Sequence, residues 1–361
     1  MQVTVEAPIN NLSFGNVSYN ILRQFWRRGI DLSYYPIGKI DTSAFDKIDQ
    51  DFLNYLKESS DKADLKLNQD APSLKLWHLN GSQSRISKNQ LLYTFYELDE
   101  PTETEINLAK FQTKTIFSSK YSFEKFKEKG VDCKNIPIGF DEDFFVTGKE
   151  YLNPDVVHFG LMGKFEKRKH TEKIIKLWCS KYGNNNKYQL TICVINPFFK
   201  DDQMNQIFNS VFEGKRYTNV NILPRLKTNS EVNDFLNAID IDLTGLSGAE
   251  GWNLPAFNAT CLGKWSLVLN ETAHKDWANK DNCILIESNG KEECYDDFFF
   301  KKGIPFNQGN IFTWDSDIVS QAMDDSVSKK GQINTVGEKL KEQFSYEKTA
   351  DRIITELEAI S

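Results

Sequence analysis

Short apolar runs alternate along the chain with stretches whose apolar residues recur at helical spacing. Val3-Thr4-Val5 predicts a strand and residues 8–15 a loop, after which Val17, Ile21 and Phe25 share one face of a helix that Gly29 closes. Leu32-Ser33-Tyr34-Tyr35 predicts the next strand, completing a strand–helix–strand unit. Further strands are predicted over 74–78, 91–95 and 115–117, followed by a turn at Phe123 to Phe126. A stretch containing Gly148 and Pro154 predicts a hinge over 146–155. The alternation then restarts, with strands over 156–160, 189–194 and 239–243 and helices over 171–182 and 230–238. Phe298-Phe299-Phe300 reads as a buried strand, and Leu340, Phe344, Ile353, Ile354 and Leu357 keep helical spacing to the end. Such alternation implies an α/β fold with a parallel sheet covered by helices in each half.

Composition narrows the function. The chain has 361 residues, more than one core usually organises, so two domains are expected. Its formal net charge of −7 provides no global attraction to nucleic acid or an anionic membrane, leaving a local basic patch such as Arg23, Arg27 and Arg28 as the route to either. The six cysteines are scattered, without a Cys-x-x-Cys pair or a His at metal-ligand spacing, and read as reduced, buried residues of a cytoplasmic protein. The N-terminus enters a strand pattern directly, without the basic and apolar regions of a secretory signal. No apolar run approaches the ~18 residues of a transmembrane segment.

The richest stretch is Ser247-Gly248-Ala249-Glu250-Gly251-Trp252-Asn253-Leu254-Pro255-Ala256-Phe257-Asn258. It leads from the strand over 239–243 into a helix whose first turn Pro255 suits, and so brings free backbone N–H groups and a partial positive charge to where an anion such as phosphate can sit. A second charged segment, Gly163-Lys164-Phe165-Glu166-Lys167-Arg168-Lys169, follows the strand over 156–160. Taken alone it is a solvated basic turn.

The first of these stretches resembles the signature loop of the retaining, nucleotide-sugar-dependent glycosyltransferases of family 4, or group 1, which have the GT-B fold and whose signature runs Glu-Gly-aromatic-Gly-Leu-Pro to a second Glu. Glu250, Gly251, Trp252, Leu254 and Pro255 match; Asn253 stands for the second Gly and Asn258 for the second Glu. Asn enters the left-handed backbone region readily, so the loop geometry is expected to survive. Ile136-Pro137-Ile138-Gly139-Phe140-Asp141 with Phe144 is similar to the segment that closes the family's first domain. The resemblance implies two Rossmann-like domains facing across a cleft, with an acceptor-side domain over 1–150 and a nucleotide-sugar domain over 151–335. A C-terminal helix over 336–361 would cross back to the first domain.

It also assigns roles. Lys164 and Lys169 match the two cations that contact the donor diphosphate, with Arg168 as an alternate, and two cations there stabilise the charge on the leaving nucleotide. Glu250 would orient the donor sugar and Asn258 would take the place of the ribose-gripping acid. Gly251, Trp252, Asn253 and Leu254 complete the donor loop, while Gly15 and Asn16 are the best donors at the first helix start. His78 and Glu97, at strand ends, are candidate acceptor-side catalytic groups. The expected co-substrate is a nucleotide-diphosphate sugar and no metal is expected; Asp240-Ile241-Asp242 has the spelling of a metal motif but alternates as a structural strand. The acceptor stays open among a glycan, a lipid-linked sugar and a modified pyrimidine in phage DNA. A sugar-nucleotide epimerase or phosphorylase, or a non-catalytic sugar-binding module, are the alternatives on the same fold. The Phe298-Phe299-Phe300 run has an acceptor-contacting flap as its second reading.

Overall fold

The structure is a computed structural model that describes residues 1–361. Its first half contains β1 (Gln2–Ala7), α1 (Ser13–Arg27), β2 (Asp31–Pro36), α2 (Gln50–Asp61), β3 (Ser73–Leu76), β4 (Gln90–Thr94), α3 (Glu103–Phe111), β5 (Lys114–Phe117), α4 (Lys120–Lys127) and β6 (Cys133–Asn135). The second continues with β7 (Val157–Met162), α5 (Thr171–Tyr182), β8 (Tyr188–Cys193), α6 (Asp201–Val211), β9 (Val220–Ile222), α7 (Asn229–Ala238), β10 (Ile241–Asp242), α8 (Leu254–Cys261), β11 (Trp265–Leu269) and β12 (Ile284–Ile286). A hairpin of β13 (Gly290–Glu293) and β14 (Asn310–Thr313) precedes α9 (Ser316–Val327), α10 (Thr335–Glu338), α11 (Leu340–Gln343) and α12 (Tyr346–Ala359).

The strands form two six-stranded parallel sheets, ordered β2-β1-β3-β4-β5-β6 and β12-β11-β10-β7-β8-β9. Parallel neighbours require crossover connections, and this is why apolar runs and helical spacing alternate in the sequence. Every position of β4 and β7 is buried, as central parallel strands covered on both faces should be. On α1 the predicted Val17, Ile21 and Phe25 are fully buried, and Gly29 ends the helix at φ 63°. One apolar cluster runs from Val3, Leu74 and Tyr93 of the first sheet to Trp252 and Phe257 of the second domain, with Phe344 between them. The apolar cores of the two halves are therefore continuous through Phe344.

Four expectations differ from the structure. The turn at Phe123 to Phe126 lies inside α4, which begins where the Ser119 hydroxyl accepts the Ser122 N–H at 3.2 Å. Phe298-Phe299-Phe300 forms no strand, because Asp296 Oδ1 accepts the N–H groups of all three residues at 2.8–2.9 Å and so takes the donors that a sheet would need. The closing stretch is three helical segments rather than one. It breaks where Phe344 inserts against Trp252 and Phe257, its carbonyl accepting the Phe140 N–H at 2.7 Å, and Ser345 caps the restart as α12. Finally, the Arg23, Arg27 and Arg28 patch is neutralised: Arg23 pairs with Asp141 and Asp143 at 3.3 and 2.9 Å, Arg27 with Glu142, and Arg28 with Asp351 at 2.6 Å. Satisfied guanidiniums of this kind offer no free charge to a phosphate backbone.

The β13–β14 hairpin lies outside both sheets and straps the second domain to the first. Asp99 accepts the Asn310 N–H at 2.7 Å and pairs with Lys291 at 2.8 Å, Glu105 accepts the Asn307 N–H at 2.8 Å, and Thr102 donates to the Pro305 carbonyl at 2.6 Å. Beneath these contacts Cys294, Phe300 and Ile311 of the strap share an apolar cluster with Leu79, Tyr96 and Leu98. No helix is long and apolar enough to cross a membrane, and all six cysteines are buried free thiols.

Candidate functional site

The C-terminal ends of β3, β4 and β7 and the loop before α8 converge on one cleft, as open parallel sheets place their ligands. Glu250 lies at its floor. Its carboxylate accepts from Lys169 Nζ at 2.5 Å and from Ser247 Oγ at 2.8 Å, and pairs with Arg168 Nη1 at 3.1 Å. Burial acts to raise its pKa, but Lys169 and Arg168 outweigh burial and hold the carboxyl well below the usual range.

The backbone around Glu250 is held in conformations that cost free energy. His170, Asn253 and Thr272 all occupy the left-handed region, at φ 52°, 66° and 52°. For the β-branched Thr272 this is a true outlier, worth roughly 1–3 kcal/mol of strain. Its hydroxyl accepts the Glu250 N–H at 3.1 Å. Asn253 adopts the conformation expected of a Gly substitute, and its amide donates both to the Thr244 carbonyl at 3.0 Å and to His274 Nε2 at 2.9 Å. His274 in turn donates from Nδ1 to the Leu269 carbonyl at 2.8 Å, and burial pushes its imidazole down to about 4, so the ring is neutral and its tautomer fixed. Gly248 has no space for a side chain, since a Cβ would lie 2.7 Å from His170 Nε2 and from the Phe312 carbonyl.

The three cations differ in access. Arg168 is buried, donates to the Ala249 carbonyl, and pairs with Glu166 at 3.1 Å as well as Glu250, so it fixes the floor from within. Lys169 is partly buried and bound to Glu250, whereas Lys164 is the most open, with 36% of its side chain exposed. Lys164 pairs with Glu166 at 2.8 Å, and its ammonium stands 4.9 Å from the Phe299 ring and 5.6 Å from the Phe198 ring. Across the cleft Glu97 approaches Arg168 at 3.8 Å; burial raises its carboxyl above the ordinary value despite that partner. His78 opens to the cleft beside Phe14, and the protein around it, with Lys164, pushes its imidazole down to about 4.

The remaining predicted residues divide. Gly15 lies in the first turn of α1, with Asn10 packed so closely that a Cβ would meet it at 2.4 Å, and Asn16 is half-buried beside it. The same loop meets the second domain, where Arg225 Nη2 donates to Asn11 Oδ1 at 2.5 Å. Gly251 is pressed against Phe95, and its carbonyl accepts from Ser118 Oγ at 2.7 Å. Leu254 is half-buried at the start of α8. Trp252 is 2% exposed and packs on Phe257 and Phe344, so its ring serves the core and offers no surface to a ligand. Asn258 is buried on α8, and its Oδ1 has no hydrogen-bond partner. Asp240 accepts the His158 N–H at 2.9 Å and Asp242 the Thr244 N–H at 3.1 Å, so both acids serve the backbone.

No protein-family model matches the chain, and no curated protein sequence matches it. Solved structures do. A sucrose-phosphate synthase from Thermosynechococcus elongatus superposes with a TM-score of 0.71 over 100% of both chains at 12% identity. A glycosyltransferase from Rickettsia africae gives 0.67, covering 99% of this chain and 98% of its own, at 11% identity. HepE of Anabaena, solved with UDP and glucose, gives 0.64 over 99% of this chain and 100% of its own at 13% identity. The chain has the GT-B fold.

Within this GT-B frame, four contributors to the floor escape a reading of the sequence. Glu166 is visible as the lone acid within the basic run 163–169, a signal that the run is internally paired. Ser247, Thr272 and His274 carry no readable signal: Ser247 reaches Glu250 within its own loop, and Thr272 and His274 reach Glu250 and Asn253 from a second segment that only the fold brings alongside.

Proposed function

We propose that the chain is a glycosyltransferase that moves a sugar from a nucleotide-diphosphate sugar to an acceptor hydroxyl, with retention and without a metal. The observation that carries this reading is the Glu250 carboxylate, held by Lys169 and Arg168 on a floor of three left-handed residues. Strain of this kind persists only where surrounding structure over-determines it, and it concentrates at functional sites. The UDP and glucose bound by HepE, whose fold this chain shares, support a nucleotide sugar as the donor.

In this reading Lys164 and Lys169 neutralise the diphosphate as negative charge develops on it, and fixed charges aimed at a developing charge are usually the strongest source of rate such a cleft has. Glu250 accepts hydrogen bonds from hydroxyls of the donor sugar and sets its orientation. His78, neutral at pH 7, can accept the hydrogen of an acceptor hydroxyl across the cleft. Asn258 stands on α8 where the ribose is gripped in this reading, and its partnerless Oδ1, sealed from solvent, becomes an acceptor for the ribose once the donor opens that wall.

The test is release of nucleoside diphosphate from a panel of UDP-, GDP- and ADP-sugars, with and without acceptors. Acceptor-dependent release from one donor is expected, and none from any donor or acceptor would overturn the reading. Activity is expected to be unchanged in excess EDTA, and a strict need for Mn²⁺ or Mg²⁺ would contradict the metal-free mechanism. Lys164→Ala is expected to lower kcat/KM about tenfold, the effect of losing one exposed charge-assisted contact. Wild-type efficiency in that variant would remove Lys164 from the donor site.

A further inference from the structure

A cavity of about 290 Å³ opens beside Glu97, between the ends of β3 and β4 and the strap. Its first-domain walls are Trp77, His78, Asn80 and Phe95; Phe306 and Asn307 of the strap close the other side. We propose that this cavity is the acceptor subsite and that the group it takes is a single sugar ring. The proposal rests on the glycosyl-transfer reading and narrows its acceptor.

Three properties of the lining carry it. Trp77, Phe95 and Phe306 supply aromatic surface, which suits the apolar C–H face of a sugar ring. The His78 and Asn80 side chains make no hydrogen bond within the protein, and Glu97 has only its 3.8 Å approach to Arg168, so their capacity is available to ring hydroxyls. By contrast Glu105 is occupied by the Asn307 N–H at 2.8 Å and by Tyr96 Oη at 3.2 Å, which makes it a wall post for the strap.

The same lining disfavours the other acceptor classes. No Lys or Arg lines the cavity, so it gives the phosphates of a DNA strand no cation within its own walls. The volume is small for a ligand pocket and ends on polar side chains, which suits one ring and not a lipid chain. Glu97 ties the cavity to the donor floor, since it approaches Arg168 at 3.8 Å and Arg168 pairs with Glu250 at 3.1 Å.

The experiment has two arms. In the first, the full chain with its preferred donor is offered free mono- and disaccharides, p-nitrophenyl glycosides, a polyprenyl-linked sugar in detergent, and duplex DNA containing hydroxymethylpyrimidine. Transfer to a saccharide or glycoside supports the proposal, and transfer confined to the polyprenyl-linked sugar supports it while identifying the lipid-linked source. Transfer confined to DNA overturns it. Failure to bind UDP or any other nucleotide would instead sink the glycosyl-transfer reading itself. In the second arm, Phe306→Ala and Asn80→Ala are each expected to raise the acceptor KM about tenfold. Affinity for the nucleotide alone should match wild type, with melting curves confirming the fold. Unchanged acceptor KM in both variants would overturn the assignment.

Discussion

Arg168→Ala is expected to destabilise the chain by about 3–5 kcal/mol, the usual result of removing one partner from a buried ion cluster. The wild-type guanidinium is 6% exposed and holds two carboxylates, Glu250 and Glu166, that are themselves 7% and 2% exposed. Burial opposes its charge, yet Glu250, Glu97 and Glu166 together raise its pKa above the ordinary value. Its loss leaves Lys169 to hold Glu250 and Lys164 to hold Glu166. The pH dependence gives a second readout. In the wild type Glu250 is depressed, so its contribution is present above the ordinary carboxylate pKa and is lost as pH falls through the depressed value. In the variant burial gains on the remaining cation, Glu250 titrates at higher pH, and the deficit relative to wild type should shrink on acidification. Urea melts at pH 7 and at about pH 3, below the ordinary carboxylate pKa, measure both effects. A variant within about 1 kcal/mol of wild type at pH 7 would show that the cluster is not the anchor of the floor.

The layered architecture is legible in the sequence because parallel sheets impose a rhythm on it. Val17, Ile21 and Phe25 announce α1, and the fully buried strands β4 and β7 read as short, mainly apolar runs. The strap is not legible: Gly290-Lys291-Glu292-Glu293 is exposed throughout, and its hairpin is stabilised by Asp99, Thr102 and Glu105, more than two hundred residues away in sequence. Local patterning cannot report such contacts. Phe298 to Phe300 mislead for the opposite reason, since three consecutive aromatics look like a core strand until one carboxylate, that of Asp296, takes their N–H groups. In the candidate site, the resemblance of two sequence stretches to the glycosyltransferase family points to Glu250, Lys164 and Lys169, but not to the division of labour among the cations. Arg168 and Lys169 are adjacent in sequence, yet one is sealed beneath the floor and the other lies at its edge. That difference is set by the left-handed turn at His170 and by Gly248, whose N–H donates to the Arg168 carbonyl at 2.9 Å.

Glu250→Gln is expected to lower kcat about a hundredfold while changing donor KM by less than a few-fold. The substitution preserves shape and the Ser247 hydrogen bond, but it removes the charge that fixes Lys169 and that, in the proposed mechanism, accepts from the donor sugar. An interaction that sets the orientation of the reacting carbon is realised in the transition state more than in the ground state, so its loss appears in kcat. The size follows from oxyanion-type sites, where deleting one preorganised partner costs about 10²–10³ in rate. Asn258→Glu provides the contrast. The Asn258 Oδ1 is buried and without a partner, and under the proposed donor placement a carboxylate there meets the ribose equally in ground and transition states, shifting donor affinity with kcat held. Steady-state kinetics of the two variants with the preferred donor separate these effects. Should Glu250→Gln turn over at the wild-type rate, the Lys169–Glu250 pair would be a structural strut and the reacting sugar would have to lie elsewhere in the cleft.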